Sequence, residues 1–248
     1  MSTIYILWLR QLKRYFRSKA RMIGSIGQPV LFLVALGFGF GPIFQRAGGG
    51  NYLEFLAPGV IAMGILFTAV FMGIEIIWDK QFGFLKETLV APVSRMSIML
   101  GRTLGGATVA SLQGVIVLVA TILAGFHPYS WFALPFVYLL MLLIGTLFSA
   151  LGVMVGSLMR DFQGFQLVMN FLVMPLFFLS GALFPLSNVP PVMLWIARFD
   201  PLSYGVDAMR FLLINVVQFG LGLDVGILLA VTALFLVLGS YFFSRIEI

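Results

Sequence analysis

The sequence predicts an all-α membrane protein with six transmembrane helices, preceded by an amphipathic helix that lies at the membrane interface. Hydrophobic residues make up 61% of the 248 residues and charged residues only 10%. A soluble domain carries roughly a quarter charged residues, so this chain has too few polar residues to cover a soluble surface. Its mean hydropathy is +1.08. The few charges separate apolar runs that are long enough, at about 20 residues, to cross a bilayer as helices.

The composition excludes several classes of function. The chain has no cysteine and a single histidine, His127. We therefore expect no disulfide, no bound metal and no Ser-His-Asp triad. The net charge of +6 would suit nucleic acid only on a solvated basic surface, which this chain has too little polar sequence to build. We expect no nucleic-acid partner and assign the basic residues to contact with anionic membrane lipid.

The six spans form a single transmembrane domain over residues 1–248. A Gly- and Pro-containing stretch, GFHPYS at Gly125–Ser130, divides one long uncharged run into two spans. In chain order, the spans are expected between Arg21 and Arg46, between Glu54 and Glu75, in the two halves of the run from Arg102 to Arg160, from Gly164 to Leu183, and between Asp224 and Arg245.

The distribution of basic residues predicts the orientation. Six spans place both termini on one side of the membrane, and that side carries 12 of the lysines and arginines against 3 on the other. Basic residues accumulate in cytoplasmic loops. We therefore expect both termini in the cytoplasm and the chain in the cell inner (plasma) membrane.

The first 21 residues predict an interfacial helix. At 3.6 residues per turn, five basic residues fall on one side, and Trp8, Leu12 and Tyr15 on the other. We expect the apolar side to face the membrane and the basic side to face water. A loosely ordered basic tail is the alternative. A cleaved signal peptide would have a shorter apolar core and a small-residue cleavage site, neither of which occurs here.

The segment Trp78–Arg95 is unusual in this chain because it collects five charges between two apolar runs. Phe82, Leu85 and Leu89 share one helical face, and the proline that follows disfavours helix just before it. Residues 79–92 therefore predict a short amphipathic helix on the cytoplasmic side, after which Ser94 can cap the third span. An ordinary interfacial loop with solvated charges fits the same spacing.

A few polar residues fall within the spans. Gln163, Gln166 and Asn170 share one face of the fifth span. They predict either the wall of a translocation path, together with Glu75, or hydrogen bonds between helices. We expect Glu75 to reach the headgroups or Lys80, and a role in proton coupling is a further alternative.

The segment 184–223 between the last two spans contains four prolines and many apolar residues. Ser187 or Asn188 could cap one short helix and Asp200 a second. An ion pair between Asp207 and Arg210 is expected at the i, i+3 spacing. So apolar a segment predicts a helical hairpin that re-enters the outer leaflet.

Two stretches resemble the ABC-2 family of ATP-driven export permeases. FLKETLVAPVSRMSIMLGRTLGG (Phe84–Gly106) is similar to the family's signature between the second and third spans. LSGALFPLSNVPPVMLWIARFDPLSYGVDAMR (Leu179–Arg210) is similar to its hallmark between the fifth and sixth spans. The first span, at Gln28–Phe40, matches more weakly. Asp200 stands where the family more often has Asn, and both residues cap a helix that begins at Pro201.

The resemblance implies the roles of particular residues. The segment Trp78–Arg95 would dock into a separate ATP-binding cassette ATPase, and the outer segment would gate release. The residues implied in coupling are Phe82, Lys86, Glu87, Thr88 and Arg95, and those implied in the outer gate are Phe184, Pro185, Asp200, Pro201, Tyr204, Asp207 and Arg210.

The resemblance also implies partners. Because six spans are half of an exporter's usual complement, it implies a homodimer or a pair with a sister permease. The sequence contains no G-x-x-x-x-G-K-[ST] phosphate loop. The chain is therefore expected to be a transport subunit and not an enzyme, with no cofactor of its own and with ATP and Mg bound by the partner.

The expected activity is outward transport of a hydrophobic or amphipathic solute, such as a drug, an antibiotic or a lipid-like molecule. Export of a polysaccharide or glycolipid is the alternative within the same class. An ion-coupled carrier that uses Glu75 belongs to a different class, as does a non-transporting scaffold or an intramembrane enzyme.

Overall fold

The computed structural model describes residues 2–46, 50–84 and 93–245. These residues form helices and contain no β-strand. In chain order the helices are α1 (Thr3–Arg17), α2 (Lys19–Arg46), α3 (Tyr52–Phe71), α4 (Ile74–Gln81), α5 (Arg95–Leu123), α6 (Leu134–Leu158), α7 (Phe162–Leu179), α8 (Pro191–Phe199), α9 (Pro201–Ile214) and α10 (Leu221–Ser244). Two short 3₁₀ helices, Trp131–Ala133 and Leu186–Asn188, precede α6 and α8.

Six stretches of helix in the described residues are long and apolar enough to cross a membrane, and they confirm the predicted number of spans. They are Met22–Arg46, Tyr52–Gln81, Arg95–Leu123, Trp131–Leu158, Phe162–Leu179 and Leu221–Ser244. The second stretch consists of α3 and α4, which meet at Met72 and Gly73. The Gly- and Pro-containing stretch after α5 separates the third and fourth spans, as predicted.

Three helices form the centre of the bundle and three lie at its periphery. The most apolar window is 78% buried in the second span, 56% in the third and 67% in the fourth. The corresponding values are 17% in the first span, 22% in the fifth and 17% in the sixth. The peripheral helices α2, α7 and α10 therefore present most of their apolar side chains outward, which suits contact with lipid or with another chain.

Glycines bring the second and fourth spans into backbone contact. A Cβ atom on Gly152 of α6 would meet the carbonyl oxygen of Val70, and one on Gly156 would meet that of Gly73. A Cβ on Gly73 would in turn meet the carbonyl oxygen of Gly152. Small residues allow helix backbones to approach this closely in membranes, where packing is a main source of association.

The N-terminal segment is helical, as predicted, and packs along α5. Leu7, Gln11 and Tyr15 are its buried residues, at intervals of one turn. Gly101 and Gly105 of α5 leave room for them: a Cβ on either glycine would lie within 3 Å of the side chain of Leu7 or Gln11. Helix α1 is therefore attached to the bundle through a glycine groove as well as through its apolar side.

The predicted helix of residues 79–92 has different boundaries at its start. Asp79 and Lys80 belong to α4, which ends at Gln81. Gly83 follows with φ of 78°, a left-handed conformation that glycine adopts without steric cost. Lys86, Glu87 and Thr88 lie in residues 85–92, outside the described residues. Ser94 caps α5 as predicted, since its hydroxyl accepts from the backbone N–H of Ser97 at 3.1 Å.

Two short helices, α8 and α9, occupy the segment between the last two spans. Asp200 caps α9, as predicted, whereas the N-cap position of α8 is Pro190, so Ser187 does not cap that helix. The side chain of Asn188 lies outside the described part of the chain. Helix α8 instead begins with Pro191 after Pro190, and a proline in the first turn has no N–H that would need a cap. Most of α9 is buried against α3, α6 and α10. Re-entry of this segment into the outer leaflet stays a prediction.

The glycine contact between the second and fourth spans yields a test. We expect Gly152→Ala to destabilise the fold by about 1–3 kcal/mol, because the methyl group has only backbone to displace. Thermal unfolding of the detergent-solubilised chain measures the effect. Gly39→Ala on α2 is the control, since nothing lies within 4 Å of its added Cβ, and it should leave the melting temperature unchanged or raise it. Equal melting temperatures for both variants would contradict the role of this contact.

Candidate functional site: a charged cluster at the base of the predicted coupling segment

Asp79, near the end of α4, is shared by arginines from two other helices. Arg102 of α5 donates from Nη2 to Oδ2 at 2.6 Å. Arg10 of α1 donates from Nη2 to both carboxylate oxygens, at 2.9 and 3.2 Å, and Arg14 Nη2 lies 3.8 Å from Oδ1. The Asp79 carboxylate thereby connects the end of the second span with α1 and with the third span.

Glu75 extends this charged cluster by one helical turn. Its Oε2 lies 3.1 Å from Arg14 Nη1. Two acids four residues apart on α4 therefore face two arginines four residues apart on α1, which is the spacing at which side chains share a helix face. We define the charged cluster as Arg10, Arg14, Glu75, Asp79 and Arg102.

Burial makes the pair between Asp79 and Arg102 depend on both partners. Their side chains are 2% and 3% exposed, whereas Arg10 and Arg14 are 36% and 37% exposed. A buried ion pair adds little net stability over apolar residues, but removal of one partner leaves an uncompensated charge, which costs about 3–5 kcal/mol. The outer arginines can be solvated instead, so they contribute less.

Lys80 connects the same point of the chain to the fourth span. Its ammonium group donates to three backbone carbonyl oxygens at the end of α6, those of Gly156 at 3.2 Å, Ser157 at 2.6 Å and Met159 at 3.1 Å. These carbonyls lack partners within the helix, and a cation is favourable at a helix C-terminus. Two adjacent residues, Asp79 and Lys80, thus bind α1, α5 and α6.

The charged cluster corrects two expectations. Glu75 pairs with Arg14 of α1 and not with Lys80, because the lysine is engaged with the end of α6. The basic side of α1 does not face water throughout, because Arg10 and Arg14 turn toward the two acids. The two expectations fail for one reason. Helix α1 lies beside α4, so its residues Arg10 and Arg14 form ion pairs with Asp79 and Glu75.

The cluster fixes the two ends of the predicted coupling segment to each other. Asp79 lies at the start of the segment, and Arg102 lies two turns into α5, the helix that follows it. The hydrogen bond between them closes the chain over 23 residues. Phe82 is 63% exposed, and its ring lies 5.7 Å from that of Trp78, which packs edge-on against Phe162 at 5.3 Å. Of the residues implied in coupling, Arg95 is the first of α5.

The residues predicted to line a translocation path are not gathered within this chain. Gln163, Gln166 and Asn170 are exposed on one face of α7, whereas Glu75 is 3% exposed and belongs to the charged cluster. The three amides therefore face outward from the bundle. They are placed to meet lipid or a second chain, and they make no hydrogen bond to another helix among the described residues.

The residues predicted for the outer gate make specific contacts in the fold. The Asp200 carboxylate accepts the backbone N–H of Leu202 at 2.8 Å, and Pro201 is the first residue of α9. The Tyr204 hydroxyl donates to the carbonyl of Arg198 at 2.7 Å. These contacts fix the corner between α8 and α9.

The predicted ion pair between Asp207 and Arg210 is wrong. The Asp207 carboxylate accepts the backbone N–H groups of Gln218 and Phe219, at distances between 2.7 and 3.0 Å. Arg210 donates to the carbonyl of Gly181 at 3.0 Å, and its guanidinium lies 4.1 Å from the ring centre of Phe55. Each side chain binds a different neighbouring segment, because backbone groups in those turns need partners.

Phe184 and Pro185 line a cavity of about 410 Å³ between the ends of α2 and α3 and the segment after α7. The Tyr52 hydroxyl donates to the carbonyl of Leu183 at 3.0 Å. Together with Arg210, this tyrosine attaches the segment after α7 to the bundle from two sides.

Sequence reasoning did not identify Arg10, Arg14 and Arg102 as functional residues. It treated them only as basic residues that set the orientation. A signal was present: the acids at 75 and 79 and the arginines at 10 and 14 both have a spacing of four residues. Pairing them requires knowledge that α1 lies against α4, which no local pattern supplies.

The pair between Asp79 and Arg102 predicts a double-variant effect. We expect Asp79→Leu to destabilise the chain by about 3 kcal/mol, because Arg102 is left buried and unpaired. Adding Arg102→Met should recover most of that loss, as measured by thermal unfolding in detergent. Glu54→Leu, which removes an exposed acid, is the control and should have little effect. A double variant that is less stable than Asp79→Leu alone would contradict the pairing.

Asp200 predicts a pH dependence. Burial raises the pKa of Asp200 to about 8, although the hydrogen bond from Leu202 opposes the shift. The group is then protonated in the folded chain at pH 7 but ionised in the unfolded chain above its ordinary value of about 4. Its contribution to stability is therefore full below about pH 4 and is lost as the pH rises to about 8.

We expect Asp200→Asn to flatten the fall in melting temperature between pH 5 and pH 8, because Asn keeps the acceptor for Leu202 but does not titrate. Asp161→Asn is the matched control: Asp161 also caps a helix, at 2.7 Å from the N–H of Gly164, but it is exposed. A melting profile of Asp200→Asn that has the same slope as that of the unchanged chain would refute this expectation.

Comparison with known proteins identifies the family. Residues 2–214 match the family described as ABC-2 type transporter. The chain is 30% identical to Nodulation protein J of Rhizobium leguminosarum bv. trifolii over 208 residues, and the aligned region covers 83% of this chain and 76% of that protein. It is 32% identical to Nodulation protein J of Rhizobium leguminosarum bv. viciae over 194 residues, and the aligned region covers 77% of this chain and 74% of that protein.

A third relative carries a name that states its activity. The chain is 31% identical over 220 residues to the putative transport permease ycf38 of Pyropia yezoensis, which covers 84% of this chain and 73% of that protein. The six spans, the two sequence signatures and these matches agree, and the chain belongs to the ABC-2 type transporter family of membrane transport permeases.

Proposed function

We propose that this chain is the membrane-spanning subunit of an ATP-driven exporter. It moves a hydrophobic or amphipathic solute outward, such as a drug, an antibiotic or a lipid-like molecule, while a separate ATP-binding cassette subunit binds ATP and Mg. The observation that carries the proposal is the pair of adjacent residues Asp79 and Lys80, which connects the base of the coupling segment to three helices.

The contacts of these two residues support a path for mechanical coupling. A partner that docks on the coupling segment Trp78–Arg95 applies force at Asp79 and Lys80, which lie near its start. Ion pairs and hydrogen bonds then pass the displacement to α1, α5 and the end of α6, and the glycine contacts pass it between α3 and α6. Packed helices of this kind have discrete arrangements and do not deform continuously. Binding of ATP by the partner would shift the population between them.

The distribution of charge supports the orientation. By the order of the spans along the chain, 12 of the 15 lysines and arginines fall on the side of the membrane to which α1 belongs. The positive-inside rule favours a cytoplasmic location for this side and for both termini, in a cell whose inner membrane the chain spans. The coupling segment is then accessible to a cytoplasmic ATPase, and the segment with α8 and α9 gates the outer side.

The peripheral helices support a dimer. Gln163, Gln166 and Asn170 face outward on α7, where hydrocarbon would leave their amides without partners. A second copy of the chain, or a sister permease, would cover this face, and the path would run between the two chains. Two permease chains would bind two ATPases.

The ion-coupled carrier receives less support. A proton-coupling carboxyl must exchange its proton with a pathway, whereas Glu75 lies 3.1 Å from the Arg14 guanidinium and beside the buried Arg102. The Glu75 carboxyl group is thus engaged in an ion pair within the charged cluster.

Co-purification with an ATP-binding cassette ATPase tests the proposal. We expect the wild-type chain to retain the co-expressed ATPase on an affinity column, and Glu87→Arg to lose at least about tenfold of it because an ion pair across the docking surface becomes a repulsion. Glu54→Arg, at the other end of the bundle, makes the same charge change and should retain the ATPase fully.

Two outcomes would contradict the proposal. One is ATPase retention that is equal in wild type and Glu87→Arg. The other is solute transport by the chain alone, without ATP, that disappears in Glu75→Gln; that result would favour the ion-coupled carrier.

A further inference from the structure

A second cavity, of about 410 Å³, lies between α1, α2, α3 and α4. It is distinct from the charged cluster and from the exposed amides of α7. Its walls are largely apolar and include Met63, Phe67 and Phe71 of α3, with Pro29 of α2 opposite. The volume falls in the range of ligand pockets, roughly 300–1,000 Å³. The described residues that line it carry no charge.

The shape of the cavity has a local cause. Pro29 and Gly64 bring α2 close to α3, since a Cβ on Gly64 would lie 3.5 Å from the proline ring and 3.3 Å from Val117. Toward the start of α2 the two helices are separated, and a Cβ on Gly24 would meet nothing within 4 Å. The cavity occupies this gap and is also lined by Tyr15 of α1.

Four of the lining side chains are polar: Tyr15, Ser25, Gln28 and Thr68. The Tyr15 hydroxyl donates to Oε1 of Gln113 at 3.0 Å, and the Ser25 hydroxyl lies 3.0 Å both from that oxygen and from the backbone carbonyl oxygen of Met22. Gln113 is fully buried on α5, and its Nε2 has no hydrogen-bond partner among the described residues. An unpaired buried donor costs about 1–3 kcal/mol. Burial also raises the pKa of Tyr15, so this hydroxyl remains protonated.

The balance of donors and acceptors indicates what is missing. With the hydroxyls donating to Oε1, the amide N–H₂ group has no acceptor. If the amide rotates by half a turn, Nε2 donates to the two hydroxyl oxygens. The Ser25 hydroxyl then donates to the carbonyl of Met22, and the Tyr15 hydroxyl hydrogen becomes free instead. In both orientations one donor of the Tyr15–Ser25–Gln113 group, two members of which line the cavity, has no acceptor, and the unmet requirement is an acceptor oxygen.

We infer that this cavity is a binding site for an uncharged amphipathic molecule, whose carbonyl, ester or ether oxygen accepts from the Tyr15–Ser25–Gln113 group and whose apolar part lies along α3. An anionic head would meet no cation among the described residues that line the cavity, and a fully apolar molecule would leave the donor unpaired. The molecule enters sideways from the leaflet that surrounds α1.

Photolabelling of the purified chain tests this site. The chain is placed in phosphatidylcholine nanodiscs with a diacylglycerol that carries a diazirine in one acyl chain, and the labelled peptides are mapped by mass spectrometry. We expect labels within residues 24–29 and 63–72. Phosphatidylglycerol with the same diazirine chain should label these peptides about tenfold less.

Two matched pairs of variants locate the effect. Gly24→Leu fills the cavity and should remove the label, whereas Gly27→Leu, equally open but not lining the cavity, should not. Gln113→Leu should lower labelling about fivefold, the value of one hydrogen bond. Thr121→Val, another buried polar residue on α5, is its control. Equal labelling of Gly24→Leu and Gly27→Leu, or equal labelling by the anionic probe, would overturn the inference.

A second arm distinguishes a resident lipid from an exported solute. The labelling is repeated with the ATPase partner, ATP and Mg present. Loss of the label during turnover would identify the molecule as cargo, and an unchanged label would identify it as a bound lipid. Only the first of these two results rests on the proposed function. The labelling of the chain alone does not involve the ATPase, so failure of one proposal leaves the other testable.

Discussion

The ion pair between Asp79 and Arg102 constrains the end of the bundle at which α1 lies. Both side chains are almost fully buried, so their charges require ionic partners there: Arg102 has Asp79, and Asp79 has Arg102 and Arg10. The pair requires the second and third spans to meet at this depth. Once they do, α1 gains two acids for its arginines, and Lys80, the next residue, is positioned at the open carbonyls of α6. Four helices are therefore assembled around two consecutive residues of the chain.

Elsewhere in the bundle, the helices are held together at glycines, which have no side chain and allow close contact. Gly73, Gly152 and Gly156 bring the second and fourth spans into backbone contact, and Gly101 and Gly105 do so for α1 and α5. In a membrane, apolar side chains gain little from meeting each other instead of lipid, so close backbone packing and polar contacts must supply the association. Close backbone packing and polar contacts together hold the central helices α3, α5 and α6. The peripheral helices α2, α7 and α10 are held less by either kind of contact.

The features that the sequence could predict are those that depend on residues close to each other along the chain. The six spans, the caps at Ser94 and Asp200 and the helical nature of α1 depend on apolar runs and neighbouring residues, and all of them are confirmed. The partners of Glu75, Lys80, Asp207 and Arg210 were predicted within a few residues along the chain, and all four bind segments distant in sequence. The cavity beside Pro29 could not be predicted, because it depends on where two helices separate.

The hydrogen bond between Asp79 and Arg102 joins residues that are 23 positions apart and closes a loop of the chain, which contains most of the segment Trp78–Arg95. Substitution or a change of length within such a closed loop alters what it presents without altering where it starts and ends. Under the proposed function, the surface that meets the ATPase can therefore change while the two points at which the loop joins the transmembrane bundle stay where they are. The choice of partner and the packing of the bundle would then depend on separate parts of the chain.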